Sequence, residues 1–171
     1  IHEASKTGNA EHAAAGITRA MTCLQEARQL CPEAARPRID IARLQETQGH
    51  PADACQTLLT IATDVPTALP LVAGRLAQLA KVSGQREAVA TVLRTAQAER
   101  PCIDFVEALV TLAPHTDNAS AKRLYLDHLK QESSLIAVSQ WIRLQQSSQE
   151  DNHPSENECR VPEEVNKALT A

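Results

Sequence analysis

The chain has 171 residues, of which 43% are hydrophobic but only 2% aromatic. Its core must therefore be built from Ala, Leu, Val and Ile, which suits close helix packing and argues against a β-sandwich. The net charge of −4 comes from the tail: six acids and two bases follow Gln146, against 15 of each in the body. A neutral body lacks the basic surface that non-specific nucleic-acid binding needs, so no nucleic-acid partner is expected.

Apolar periodicity predicts helices at 10–30, 36–48, 51–64, 69–82, 85–99, 102–112, 117–131 and 134–146, with residues 1–7 as the remains of an earlier helix. Three prolines set a register. Pro32, Pro66 and Pro101 are 34 and 35 residues apart. Working back from Pro66 come Ile61, Leu58, Ala54 and Gly49; from Pro101 come Ala96, Leu93, Val89 and Gly84; from Pro32 come Ala27, Leu24, Ala20 and Ala15. A period near 34 residues with this pattern is the signature of tetratricopeptide (TPR) helix–turn–helix repeats. Gly49 and Gly84 supply left-handed residues that end the first helix of each pair. Ala54 allows close helix approach, and the prolines block continuation of the second helix. Pro51 suits the first turn of its helix.

The last repeat is degenerate. Pro114 stops helix 102–112, "HTDNAS" makes the turn without Gly, Ala121 and Tyr125 take the small and large positions, and Ser133 replaces Pro. The fold class is thus all-α, with TPR-type repeats forming a right-handed superhelix. Residues 1–146 hold three and a half to four repeats, the first truncated. Residues 147–160, "SSQEDNHPSENECR", read as an acidic linker. Residues 161–171 read as a short terminal helix or a disordered end, Pro162 and two acids favouring a helix start. The chain begins with Ile1 rather than Met and reads as a fragment. No apolar run reaches the ~20 residues of a membrane span, and no signal peptide is visible.

Cys23, Cys31, Cys55, Cys102 and Cys159 include no Cys-x-x-Cys pair. They read as small buried hydrophobes in a reducing compartment, and no metal site or cofactor is expected in the chain. His2 and His12 have no ligand pattern around them. Asp127 and His128 are helix neighbours that point apart. His115 shares a turn with Asp117. No histidine has a nucleophile at a convincing spacing, so the chain is not expected to be an enzyme. In TPR arrays the first helix of each pair lines a concave groove. That puts Arg36, Ile39, Arg43, Glu46 and Thr47 beside Leu71, Gly74, Gln78 and Lys81, with Arg38 and Arg75 close by. The partner-binding residues are therefore Arg36, Arg38, Arg43, Glu46, Arg75, Gln78 and Lys81, suited to an acidic segment or a carboxylate of a protein partner. Trp141, with Ile142 and Leu144, is expected to pack the last helix onto the repeat that contains Tyr125.

The run "AMTCLQEARQLCPEAARPRIDIARLQETQGHPADACQTLLTI", the helix "LVAGRLAQLAKVSGQ", the repeat without a consensus turn after Pro101 and the closing "SSLIAVSQWIRL" together resemble one family over roughly residues 10–146. This is the carboxy-terminal TPR half of the lipopolysaccharide assembly protein B family of Gram-negative bacteria. The resemblance implies a non-catalytic adaptor at the cytoplasmic face of the inner membrane. Family members are held there by an amino-terminal membrane helix and end in a rubredoxin-like domain with two Cys-x-x-Cys knuckles. They help the membrane protease FtsH degrade the deacetylase that commits precursors to lipid A, and an inner-membrane regulator opposes them. This chain carries neither the membrane helix nor the knuckles, and Cys159 does not match one. Two other readings are a generic TPR scaffold of another assembly or secretion system, and a TPR segment flanking a hydrolase domain.

Overall fold

The computed structural model describes residues 4–113, 118–150 and 165, with side chains for 14–113, 118–146 and 165. Among them there are eight α-helices and no strand: α1 Ala4–Leu30, α2 Ala35–Thr47, α3 Pro51–Asp64, α4 Leu69–Ser83, α5 Arg86–Glu99, α6 Ile103–Leu112, α7 Asn118–Gln131 and α8 Leu135–Glu150. A single 3-10 turn, Pro66–Ala68, joins α3 to α4. The protein is all-α.

Helix ends follow local chemistry. Gly49 and Gly84 have φ of 81° and 75°. Beside them the His50 and Gln85 N–H groups reach back to the Gln45 and Ala80 carbonyls at 2.9 and 3.0 Å. This is the left-handed helix stop that satisfies otherwise orphaned carbonyls. Pro51 opens α3, where its missing N–H costs nothing, and Asp53 adds a favourable charge to that first turn. At α8 the Ser134 hydroxyl accepts the Ala137 N–H at 3.3 Å.

The chain divides into two compact units, the first made of 1–72 and 79–85, the second of 73–78 and 86–171. In the first, α2 packs against α3 and α1 against α2. Its interior holds Ile41, Ala42, Ala54, Cys55, Leu58, Ile61, Leu69 and Val72, each at most 4% exposed. Each large aliphatic side chain so buried contributes about 1.5–3 kcal/mol. In the second, α5 packs on α6, α6 on α7 and α7 on α8. Val89, Leu93, Phe105 and Ala108 are buried there. Val106, Tyr125, Leu129, Ala137, Val138, Trp141 and Val165 form one cluster. Each of these helix contacts joins neighbours in sequence.

Several expectations change. Helix α1 starts at Ala4 and runs through Gly8 and Gly16, so the break expected before residue 10 is absent; a lone Gly costs about 1 kcal/mol in a helix and does not end it. Helix α8 runs to Glu150, so residues 147–150 belong to it and not to the linker. Nothing in "SSQE" blocks a helix. The rest of that linker, the His115–Asp117 turn, His2 and Cys159 lie outside the described residues, as does the His12 side chain. Of residues 161–171 only Val165 is described; it is helical and 0% exposed. Cysteine burial is overturned at two positions: Cys23 and Cys31 are exposed, Cys102 is half-buried and Cys55 alone of the four is buried. Cys23 lies on a helix with no fully buried position among residues 14–30, and Cys31 follows its end.

Candidate partner-binding surface

The side chains nominated from sequence stand on two helices. On α2, Arg36 and Arg43 converge on Asp40. Arg36 Nε donates to Asp40 Oδ2 at 2.7 Å, and Arg43 Nη1 to Oδ1 at 3.3 Å. The spacings are i,i+4 and i,i+3, which bring side chains together on one helix face. The two guanidinium groups keep side-chain exposures of 75% and 66%, while Asp40 has 28%. One shielded carboxylate thus holds two exposed cations, and the cluster keeps a net positive charge. Asp40 was missed from the sequence, although its spacing to both arginines was a readable signal. Glu46 is half-buried and Thr47 exposed on the same helix.

Arg43 and Thr47 also edge a depression of about 510 Å³ against α1. Ala20, Cys23 and Leu24 of α1 and Leu44 of α2 supply its apolar wall. Nothing in the spacing of α1 announced this hollow, because it arises from how α1 lies on α2.

On α4, Arg75 and Gln78 are exposed and Lys81 half-buried. Arg75 Nη1 donates to Gln78 Oε1 at 3.1 Å. Leu71 and Val82 are 81% and 75% exposed on this helix. Leu71, Arg75, Gln78 and Val82 recur at helical spacing and make a stripe with apolar ends and a polar middle. Leu71 was nominated from sequence; Val82 was not.

Arg38 is placed differently from the others. It is 4% exposed. Its Nη1 donates to the Pro32 and Ala34 carbonyls at 2.7 and 3.1 Å, and its Nη2 to Asp64 Oδ2 at 2.8 Å. Arg38 therefore ties the α1–α2 turn to the end of α3 and is removed from the partner-facing set. The hydrogen bond from Arg38 and a second from Thr63 hold the Asp64 carboxyl below its ordinary range.

A second polar group is buried in the other unit. The Cys102 N–H donates to Gln97 Oε1 at 3.0 Å, which fixes the amide orientation. Gln97 Nε2 then faces His128 Nδ1 at 3.1 Å. An amide N–H donates, so Nδ1 accepts and the ring proton sits on Nε2. His128 is 2% exposed, and burial pushes its pKa down, with Glu132 pulling weakly upward. Its neighbour Asp127 faces solvent, as their adjacency on a helix requires. Trp141 is 7% exposed in the cluster with Tyr125, and Leu144 packs at its edge. Ile142, expected to join them, is instead 39% exposed.

Among the described residues no group of three or more His, Cys, Asp or Glu side chains is arranged to hold a metal ion. No single described helix is long and apolar enough to cross a membrane. Comparison with protein-family models, with curated proteins and with solved structures finds no match.

Proposed function

We propose that the chain is a TPR-type scaffold that binds a protein segment on the solvent faces of α2 and α4 and performs no chemistry of its own. The observation that carries this reading is the repeated burial pattern on second helices. Ala54, Val89 and Ala121 are buried, and so are Leu58, Leu93 and Tyr125 one turn later. Left-handed Gly49 and Gly84 close the preceding first helices in the first two of these repeats. A small residue followed four later by a large one, after such a glycine, is what helix pairs in a TPR array need. In that fold the pairs stack into a right-handed superhelix and leave first-helix faces open. The α2 face carries Arg36 and Arg43, and the α4 helix carries Arg75 and the exposed Leu71 and Val82. Cations beside exposed aliphatics suit an amphipathic, acidic protein segment, which docks on a preformed surface at little ordering cost.

Within this reading, the family resemblance points to an adaptor in lipopolysaccharide regulation. It would bring the lipid A deacetylase to FtsH at the cytoplasmic face of the inner membrane, opposed by an inner-membrane regulator. No cofactor is needed for that role; a metal-binding knuckle belongs to the family's carboxy-terminal domain. The test is binding of the immobilised chain to purified deacetylase and to FtsH. Binding to one of them, weakened by the double variant Arg43→Glu, Lys81→Glu, supports both levels of the proposal. Binding unchanged in the double variant removes the α2 and α4 faces as the site. Binding to neither protein removes the lipopolysaccharide role and leaves a scaffold for another client.

A further inference from the structure

The second unit holds a depression of about 520 Å³ that the reading above does not use. It is lined by α5, the end of α6 and α7. Ala90, Leu109 and Leu112 make an apolar floor. Arg86, Arg94 and Arg123 stand around it. From this arrangement we propose a second docking site, one that takes an extended acidic segment of a protein partner with an apolar side chain between its carboxylates.

Charge complementarity is the first argument. Arg94 and Arg123 are 61% and 85% exposed, and their acidic neighbours are held loosely. Arg94 lies 3.9 Å from Glu87, and Arg123 lies 4.0 Å from Asp127. Both distances exceed those of charge-assisted hydrogen bonds, so exchanging these partners for a ligand carboxylate costs little. Asp127 is moreover engaged by Lys130 at 3.0 Å, which leaves the Arg123 charge the less compensated. Arg86 occupies the first residue of α5, where the helix dipole disfavours a cation. Its charge is therefore not there for the helix, and an arriving anion relieves that repulsion.

Spacing is compatible with an extended segment. The backbone positions of Arg86 and Arg94 are separated along α5 by roughly 12 Å, from the rise per helical residue. An extended peptide sets carboxylates four residues apart about 13 Å from each other, a spacing of the same order. Among the described residues, no aromatic side chain lines the depression. The apolar floor accepts the intervening aliphatic side chain, which supplies the burial that surface ion pairs alone do not.

The experiment is an amide NMR titration of the whole chain at low salt with a short peptide of leucines flanked by glutamates four residues apart. Its control is the same peptide with glutamine for glutamate. The proposal expects shifts at Ala90, Leu109 and Leu112 with the glutamate peptide alone. It also expects the triple variant Arg86→Gln, Arg94→Gln, Arg123→Gln to weaken binding about tenfold or more. Arg19→Gln, which removes one positive charge from α1, should leave it unchanged. No shifts, equal shifts with the glutamine peptide, or shifts confined to α2 and α4 overturn the proposal. So does dodecanoate moving the same signals where the peptide does not, which would make this a site for a small amphiphile. Failure here leaves the deacetylase and FtsH test untouched, since that test turns on Arg43 and Lys81.

Discussion

Arg38 on α2 reaches Asp64, the last residue of α3, with Nη2 2.8 Å from Oδ2. Asp64 sits where the helix dipole is negative, a poor place for a carboxylate. The guanidinium offsets that charge, and its other arm holds two carbonyls of the α1–α2 turn. Removing Arg38 leaves those carbonyls without their donor and a void among buried neighbours. Arg38→Ala is expected to lower the unfolding free energy by about 2–3 kcal/mol, the scale of hydrogen bonds to a charged group. Urea unfolding followed by circular dichroism measures it. A loss indistinguishable from that of Arg36→Ala would contradict the placement.

Asp64→Asn should cost less, because Asp64 is half exposed and the Arg38 packing remains. Its signature is pH. The folded carboxyl is held below its ordinary value, so its contribution is present above a pH of about 4 and fades as pH falls through the folded value. The stability gap between wild type and Asp64→Asn should therefore shrink with acidification below that point. A gap constant with pH would show that the carboxylate charge does not matter.

Gly49 and Gly84 test the turn chemistry. A Cβ at either position meets nothing within 4 Å, so any cost of Ala is backbone strain alone. Each Gly→Ala change should destabilise by about 1 kcal/mol, since the left-handed region disfavours a side chain. Gly→Asn should cost less, because Asn tolerates that region. Equal melting temperatures for wild type and Gly84→Ala would contradict the left-handed φ.

These two glycines explain why so much of the helical layout was legible. Gly and Pro act through the chain itself, so Gly49, Gly84, Pro51, Pro66 and Pro101 mark boundaries without tertiary information. Predicted and observed ends of α3 to α8 before residue 146 agree to within a residue or so for the same reason. Arg38 was not legible. A cation at a helical position reads as surface until the carbonyls and the carboxylate that surround it are known. Asp40 escaped for the converse reason, since a lone acid between two arginines looks like ordinary solvation. The two depressions are properties of packing, and residues far apart in sequence, such as Arg86 and Arg123, meet there only through the fold.

His128 predicts a second pH dependence, of the same sign and in another range. Burial lowers its folded pKa, and Nδ1 already accepts from Gln97. An added proton on Nδ1 would face a donor. The unfolded chain protonates first, near its ordinary pKa of about 6.5, so stability falls as pH drops below that value and levels off beneath the folded pKa. Melting temperatures between neutral pH and mild acid measure this. In His128→Leu the dependence over that window should be reduced, with a loss of about 1 kcal/mol at neutral pH from the unpaired Gln97 amide. An unchanged pH profile in this variant would mean that His128 is not held neutral.

Val165 and Trp141 share the cluster that closes the second unit, at 0% and 7% exposure. Trp141 is the only tryptophan, so its fluorescence reports on this cluster alone. Val165→Ala deletes two buried methyl groups and should destabilise by about 1–3 kcal/mol, from the lost transfer energy and the void left behind. Val165→Asp puts a charge into the cluster that holds Trp141, Tyr125 and Val138, where burial without a partner is costly. The cluster should then open, and Trp141 emission should shift to the red while the helical circular dichroism is retained. Emission that stays at the wild-type wavelength in Val165→Asp would mean that Val165 does not cover Trp141.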